Sequence, residues 1–227
     1  MASALGHDGV LSSLHTLNLR DNRIGAAGAS ALASALGSDG VLPSLHTLDL
    51  SGNGIGAAGA SAFASALGRD GVLPSLHTLN LSENDIGDEG ASALASALGR
   101  DGVLPSLHTL ILSYNRIGAA GACALASAIG RDGVLPSLHT LDLSDNHIGD
   151  EGACALASAL GRDGVLPSLH MFHLDDNHIG AEGASALAFA LGRDGALPSL
   201  HTLDLAHNCI GVEGASALAS TLGHDGT

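Results

Sequence analysis

Apolar and polar residues alternate in a short motif that returns every 31 residues along the chain. Residues 138–148 read LHTLDLSDNHI, in which Leu141 and Leu143 alternate with Thr140 and Asp142. Strict alternation over a short stretch is typical of a β-strand with one buried face. The two leucines are therefore expected to point inward, and the threonine and aspartate to point outward.

The second half of the same unit predicts a helix. Residues 149–161 read GDEGACALASALG, which is rich in good helix formers and places its leucines at helical spacing. Asp150 and Glu151 fall in the first turn, where the helix dipole favours negative charge. Gly161 is expected to form a left-handed C-terminal cap. Residues 162–168, RDGVLPS, then form a return loop to the next strand.

The repetition determines the domain organisation. The motif's asparagine recurs at a constant step of 31 residues, in what we number units one to seven, at Asn22, Asn53, Asn84, Asn115, Asn146, Asn177 and Asn208. Self-similarity at such a period is the signature of a solenoid, because one unit cannot bury its own leucines. We predict a single domain over residues 1–227, with seven 31-residue repeats that follow a partial repeat at residues 1–10.

The motif L-x-x-L-x-L-x-x-N-x-I followed by GxxGAxALAxAL resembles the leucine-rich repeat, in the subtype of ribonuclease inhibitor and of the sensor arrays of NOD-like immune receptors. The resemblance covers essentially the whole chain. It implies an α/β fold, a right-handed solenoid or horseshoe with a parallel sheet on the concave face and helices on the convex face. Repeats of that subtype commonly run about 28–29 residues, and the additional residues here fall in the return loop GRDGVLPS.

Two ladders of identical polar residues follow from the period. Each motif asparagine is expected to bond backbone groups in the turn that ends its strand. A histidine ladder precedes the strands, at His15, His46, His77, His108, His139, His170 and His201. Its even repetition indicates a scaffold role. Because a free imidazole titrates near pH ~6.5 and stacked cations repel, we predict loss of stability below about pH 6.

The composition narrows the partner class. The formal net charge is −15, from 23 acidic and 8 basic residues, and all eight basic residues are arginine. Such a surface repels phosphate backbones, which argues against nucleic acid, and attracts basic proteins or peptides. No stretch approaches the roughly 18 apolar residues of a membrane span. Three cysteines are too few for a disulfide framework, and no signal peptide is recognisable, so we expect a cytoplasmic location.

The units differ from one another mainly on and just after the outward-facing part of the strand. The position of Asp142 holds Asn18, Asp49, Asn80, Ile111, Asp142, His173 and Asp204. The position of Asp145 holds Asp21, Gly52, Glu83, Tyr114, Asp145, Asp176 and His207. The position of His147 holds Arg23, Gly54, Asp85, Arg116, His147, His178 and Cys209. Diversity on a uniform scaffold is typical of a binding surface. Drift at exposed sites is the alternative, but the helix surface has drifted less.

Two groups of these residues form the predicted partner-binding site. Ile111, Tyr114 and Arg116 combine an aliphatic, an aromatic and an arginine, which is anchor chemistry at interfaces. The second group is acidic and rich in imidazole, with Asp142, Asp145, His147, Met171, His173, Asp175, Asp176, His178, Asp204 and His207. Binding of a basic protein or peptide there would weaken in salt.

Catalytic, metal and nucleotide sites are not predicted. His147, His178 and Cys209 have ligand chemistry, but their spacing defines no tetrahedral site, so we expect no metal or cofactor. Residues 54–59, GIGAAG, match a dinucleotide fingerprint only because Gly54 falls at a variable position, and Leu79 stands where an acid should hold the ribose. No arrangement of nucleophile and base suggests an enzyme.

Other functions are also compatible with this type of repeat. Residues 1–10 resemble the tail of a unit and the chain stops at the end of a helix, without polar caps. We therefore expect either a sensor or regulatory piece of a larger receptor, or end-to-end self-association. Ran GTPase-activating proteins share this repeat type, which makes GTPase regulation an alternative, although no arginine here is placed by motif. The threonine ladder beside the histidines would suit an ice- or crystal-binding surface, but charged residues flank it.

Overall fold

The computed structural model describes residues 11–37 and 41–222, in which strands and helices alternate. The strands are Thr16–Asn18 (β1), Thr47–Asp49 (β2), Thr78–Asn80 (β3), Thr109–Ile111 (β4), Thr140–Asp142 (β5), Met171–His173 (β6) and Thr202–Asp204 (β7). The helices are Gly25–Leu36 (α1), Gly56–Leu67 (α2), Gly87–Leu98 (α3), Ala119–Ile129 (α4), Gly149–Leu160 (α5), Ala181–Leu191 (α6) and Gly211–Leu222 (α7). The predicted partial repeat at residues 1–10 lies outside the described residues.

The strands form one open parallel sheet in chain order, β1 to β7. Their register follows the 31-residue period, so that Leu110 pairs with Leu79 on one side and with Leu141 on the other. Each helix packs against the helices of the neighbouring units. The predicted α/β solenoid is therefore confirmed. Within the part of the chain described, no helix is long and apolar enough to cross a membrane.

The alternation of each strand sorts its side chains as predicted. Leu48, Leu79 and Leu110 at the strand centres are almost completely buried. The residues on either side of them in β2, β3 and β4 remain half-buried. In β6 the central position holds Phe172, which is also buried, so this change from leucine is an adjustment of the core.

The asparagine ladder ties each turn to both neighbours. The amide nitrogen of Asn84 donates to the carbonyl of Leu50 in the preceding unit at 2.9 Å and to that of Leu81 in its own unit at 3.0 Å. Its amide oxygen accepts from the backbone of Asn53 at 3.0 Å and of Ile55 at 3.3 Å. The predicted structural role of the asparagines is therefore confirmed, and they bridge the units as well as closing the turn.

The expected left-handed cap at Gly161 is wrong. Gly161 has φ −75° and ψ 12°, and its N–H donates to the carbonyl of Ala157 at 2.8 Å. A Cβ at this residue would lie 3.1 Å from the Cβ of Ala190 in α6. Glycine is present because the next helix approaches closely, not because the backbone needs a positive φ.

The histidine ladder is a continuous stack in the scaffold. Neighbouring rings have centroids 4.7–5.0 Å apart along the seven units. The Nδ1 atom of His108 lies 2.6 Å from the carbonyl oxygen of Ser106, and its counterparts make the same contact. This nitrogen therefore serves as the donor, which fixes the ring orientation. The predicted loss of stability in acid stays a prediction.

Candidate functional site

The predicted site residues lie on two adjoining surfaces. The sheet face is formed by outward side chains of the strands and of the residues just after them, with Ile111, Asp142, Met171, His173, Asp175 and Asp204. The loop edge is formed by the residues that flank each ladder asparagine, and in units four to seven these are Tyr114, Arg116, Asp145, His147, Asp176, His178, His207 and Cys209.

The loop edge owes its shape to left-handed backbone. Tyr114 has φ 55° and Arg116 has φ 56°, on either side of the buried Asn115. Non-glycine residues rarely adopt this region. Here it turns both flanking side chains to solvent while the asparagine points inward, and Tyr114 is 56% exposed. Sequence reasoning missed this conformation. The available signal was unit two, where both flanking positions are glycine.

A groove of about 560 Å³ runs along the loop edge of units three to six. Its lining residues are Glu83, Asp85, Tyr114, Arg116, Asp145, Asn146, His147, Asp176 and His178. The fold therefore brings Tyr114 and Arg116 of one predicted group together with four members of the other, Asp145, His147, Asp176 and His178. Ile111, predicted to group with these two residues, is not among the lining residues of the groove; it ends β4 and lies on the adjoining sheet face.

The groove is lined by more acidic than basic side chains. The only arginine among the lining residues, Arg116, pairs with Asp85 at 3.0 Å from Nε to Oδ1. A hydrogen bond to Asp145 raises the pKa of Tyr114, and the charges of Asp145 and Asp176 act in the same direction. The aromatic wall of the groove thus lies beside Asp145, a carboxylate that has no arginine partner among the lining residues.

The histidines of the loop edge stack on each other. The rings of His147 and His178 have centroids 5.5 Å apart and an interplanar angle of 16°. Both are exposed, as is Cys209 in the next unit. Across the described residues, these three side chains do not form a group whose ligand atoms come within 4.8 Å of one another.

A different cluster of ligand chemistry lies on the sheet face. The side chains of His173, Asp175 and Asp204 are half-buried, and their nitrogen and oxygen donor atoms all lie within 4.8 Å of one another. The Nδ1 atom of His173 is 4.0 Å from Oδ2 of Asp204. Burial raises the pKa of Asp175, the carboxylates of Asp204 and Asp142 raise it further, and a bond to its own backbone N–H opposes them. The donor types would suit a divalent metal or a cationic side chain.

Unit six lacks a bond that satisfies the strand end in units two, three and five. In unit two the hydroxyl of Ser51 donates to Asp49 at 2.7 Å, and in unit five Ser144 donates to Asp142 at the same distance. In unit six Asp175 replaces that serine, and a carboxylate cannot donate this bond. Asp175 instead lies beside His173 and Asp204.

A methionine and two cysteines lie outside these clusters. Met171, at the start of β6, is 41% exposed on the sheet face. Cys123 and Cys154 are half-buried free thiols on neighbouring helices, and burial raises the pKa of Cys154. A raised thiol pKa disfavours the reactive thiolate, which agrees with a packing role.

Comparisons with known proteins bear on the family. A family model described as "Leucine Rich repeat" matches the seven segments 10–33, 41–64, 72–95, 103–126, 134–157, 165–188 and 196–219. Together these segments cover well over half of the chain. No curated protein matches this chain.

Solved structures share the fold at low sequence identity. An internalin from Listeria monocytogenes aligns at a TM-score of 0.53 and 22% identity, over 92% of this chain and 47% of its own, so this chain spans about half its length. The tropomodulin C-terminal domain of Caenorhabditis elegans aligns at 0.53 and 18% identity, over 71% and 89% of the two chains. Actin-binding site 2 of leiomodin-1 aligns at 0.50 and 18% identity, over 73% and 89%.

Proposed function

This chain belongs to the leucine-rich repeat family, and we propose that it is a protein-interaction module whose sheet face and loop edge bind a basic protein or peptide. Families of stacked repeats present extended surfaces suited to binding. Among the structural neighbours, the leiomodin-1 domain is named as an actin-binding site, which supports a protein as the class of partner. A binding function also agrees with variable side chains on a repeated frame.

The observation that carries this proposal is the unbalanced charge of units five to seven. Their sheet face and loop edge hold five aspartates, Asp142, Asp145, Asp175, Asp176 and Asp204. Residues 140–209 contain only two arginines, Arg162 and Arg193, and both belong to return loops. A surface with this imbalance attracts cationic partners and repels anionic ones.

The excess of negative charge on the sheet face and loop edge does not extend to the return loops. Each of five return loops pairs an arginine with the next residue, an aspartate, as at Arg131 and Asp132. The guanidinium groups of Arg69, Arg131 and Arg162 also donate to glycine carbonyls of the preceding loop, at 2.7–3.0 Å. Arginine is therefore used on the opposite edge of the solenoid for structure.

Apolar side chains flank the acidic surface and would supply contact area. Tyr114 borders the groove on the loop edge, and Met171 projects from the sheet face. Exposed aromatic and methionine side chains are enriched at interfaces. We propose that they pack against the partner while the carboxylates meet its cationic groups.

The test compares two variants with equal changes in net charge. The first carries Asp→Asn at Asp142, Asp145, Asp175, Asp176 and Asp204. The matched control carries Asp→Asn in the return loops at Asp70, Asp101, Asp132, Asp163 and Asp194. Asparagine preserves the strand-end bond, because Asn80 accepts the hydroxyl of Ser82 at 2.8 Å in unit three.

In affinity capture from cell extract, the native chain and the return-loop variant should recover the same proteins, and the first variant should lose them. Recovery should also fall as salt is raised. Equal recovery by both variants, with both melting cooperatively, would contradict the proposal.

Cytoplasmic location and end-to-end self-association stay predictions. The outer strands β1 and β7 each pair on one side only within the described sheet. An unpaired strand edge can pair with another chain. Light scattering across a range of protein concentrations tests this, and a constant monomer mass would exclude self-association.

A further inference from the structure

The glycine that opens each helix adopts one of two conformations. In five units φ is between 60° and 66°, at Gly25, Gly56, Gly87, Gly149 and Gly211. In units four and six, Gly118 and Gly180 instead have φ −94°. The residue type is the same in all seven units, so the glycine itself does not determine the choice.

The conformation of this glycine correlates with the identity of one side chain in the preceding unit. Asp88 in α3 accepts hydrogen bonds from the N–H groups of Gly118 at 2.7 Å and Gly121 at 2.8 Å. Asp150 in α5 makes the same pair of bonds to Gly180 and Gly183, at 2.7 and 2.8 Å. Each aspartate thereby caps the N-terminus of the next helix, although both lie in the first turn of their own.

Where the preceding unit has alanine at that position, the glycine keeps its positive φ. Ala26, Ala57, Ala119 and Ala181 precede the left-handed Gly56, Gly87, Gly149 and Gly211 respectively. Unit six supplies a natural control, because it has Glu182 beside the alanine and Gly211 is still left-handed. The neighbouring glutamate therefore does not produce the change, and the aspartate does.

The two conformations differ by a reversal of one peptide plane. In the alanine-preceded form the N–H of Gly87 points forward and donates to the carbonyl of Asn115 at 2.9 Å. In the aspartate-preceded form the N–H of Gly118 points back to Asp88. The carbonyl on the same peptide, that of Ile117, then points forward and accepts from the N–H of His147 at 2.8 Å.

The reversal reaches the loop edge two units beyond the aspartate. Arg23, Asp85, Arg116 and His178 occupy the position after the ladder asparagine with φ between 52° and 58°. His147 and Cys209 occupy the same position outside this left-handed region, and each donates its backbone N–H to the reversed peptide. His147 lines the groove, so a side chain on the helical side of unit three sets the backbone of a groove residue in unit five.

We propose that Asp88 and Asp150 are positioning residues that reverse the peptides before Gly118 and Gly180 and so set the loop-edge conformation of His147 and Cys209. A charge-assisted bond to a helix N-terminus is stronger than the bond to a neutral carbonyl that it replaces. The effect on partner selection rests on the proposed function, whereas the conformational effect does not. The loop edge therefore has two backbone forms, which are specified from the helices.

The test removes the aspartate in one unit and adds it in another. Asp88→Ala should return Gly118 and His147 to positive φ, and Ala26→Asp should move Gly56 and Asp85 out of it. Glu89→Ala is the matched control and should change neither pair. A strong contact between the amide and α protons of one residue marks positive φ in nuclear Overhauser spectra. His147 should gain it in Asp88→Ala, and Asp85 should lose it in Ala26→Asp.

Failure of this inference can be distinguished from failure of the proposed function. If the contact is unchanged in both folded variants, the inference is overturned. Ala26→Asp alone decides the matter if Asp88→Ala does not fold. These spectra are taken on the protein without a partner, so a failed reversal alongside successful capture by the acidic surface rejects only the inference. A successful reversal with failed capture rejects only the proposed function.

Discussion

The ladder asparagine and the two residues beside it share one turn, but in units two to six the asparagine side chain is buried and constant, whereas the flanking residues are more exposed and variable. Asn115 is fully buried, and its side chain satisfies backbone groups of its own unit and of the preceding unit. Tyr114 and Arg116 are exposed and left-handed, and their side chains differ from unit to unit. The turn constrains the side chain at its centre but constrains only the backbone at its flanks. Variation in function can therefore accumulate at the flanks without altering the fold.

The largest loss of stability is expected when the asparagine at the centre of the turn is substituted. Asn115→Ala removes an acceptor for the N–H groups of Asn84 and Ile86 and a donor to the carbonyls of Leu81 and Leu112. Buried groups left without partners cost about 1–3 kcal/mol each, so the free energy of unfolding should fall by roughly 3–5 kcal/mol. Urea denaturation measures this loss.

Matched controls at the flanks should behave differently. Tyr114→Ala and Arg116→Ala remove exposed side chains and should change the free energy of unfolding by less than about 0.5 kcal/mol. A loss as large as that of Asn115→Ala would show that the flanks also carry the fold.

A second comparison lies within the loop edge itself. His178 has φ 58°, whereas His147 lies outside the left-handed region. A β-branched residue is strained at positive φ. His178→Val should therefore lower the free energy of unfolding by about 1–2 kcal/mol more than His147→Val. Equal losses in thermal or urea denaturation would show that the two positions do not differ in backbone strain.

The half-buried sheet face should respond to pH through Asp175. Its pKa is raised by burial and by the neighbouring carboxylates, so the folded state holds this proton more tightly than the unfolded state. Ionisation of Asp175 therefore costs stability above the folded pKa, and the cost disappears below the usual aspartate value near pH ~4. Asp175→Asn should raise Tm at pH 7, and this gain should vanish at about pH 3. A Tm difference that does not depend on pH would contradict this assignment.

The smallest expected effect is spectroscopic. Tyr114 is the single tyrosine and the chain has no tryptophan, so tyrosinate absorbance reports one residue. Because the hydrogen bond to Asp145 is the first cause of its raised pKa, Asp145→Asn should lower that pKa towards its usual value. The return-loop variant Asp101→Asn should leave it unchanged. Identical titrations in all three proteins would exclude the bond.

Most of the fold could be predicted from the 31-residue period of the sequence. The repeated motif predicts the same strand, asparagine turn and helix in each of the seven units. The alternation around Leu141 indicates which side chains are buried. The predicted left-handed cap at Gly161 is wrong because a close helix contact requires glycine just as such a cap does. Local pattern cannot separate these two causes.

The candidate site was less predictable because it depends on contacts between units. Variation identified the positions of Tyr114, Asp145 and His147, but not the left-handed backbone that directs the first two outward. The bond from Asp88 to Gly118 spans 30 residues and leaves no signature within one unit. It becomes visible only when the backbones of different units are compared.

The most direct measurement for the binding surface is carboxyl footprinting of the chain with and without a captured partner. Carbodiimide labelling reads every accessible aspartate and glutamate in one experiment, so the return loops serve as internal controls. We expect the partner to protect Asp142, Asp145, Asp175, Asp176 and Asp204 and to leave the return-loop aspartates labelled. Protection confined to the return loops or the helices, with those five aspartates still labelled, would contradict it.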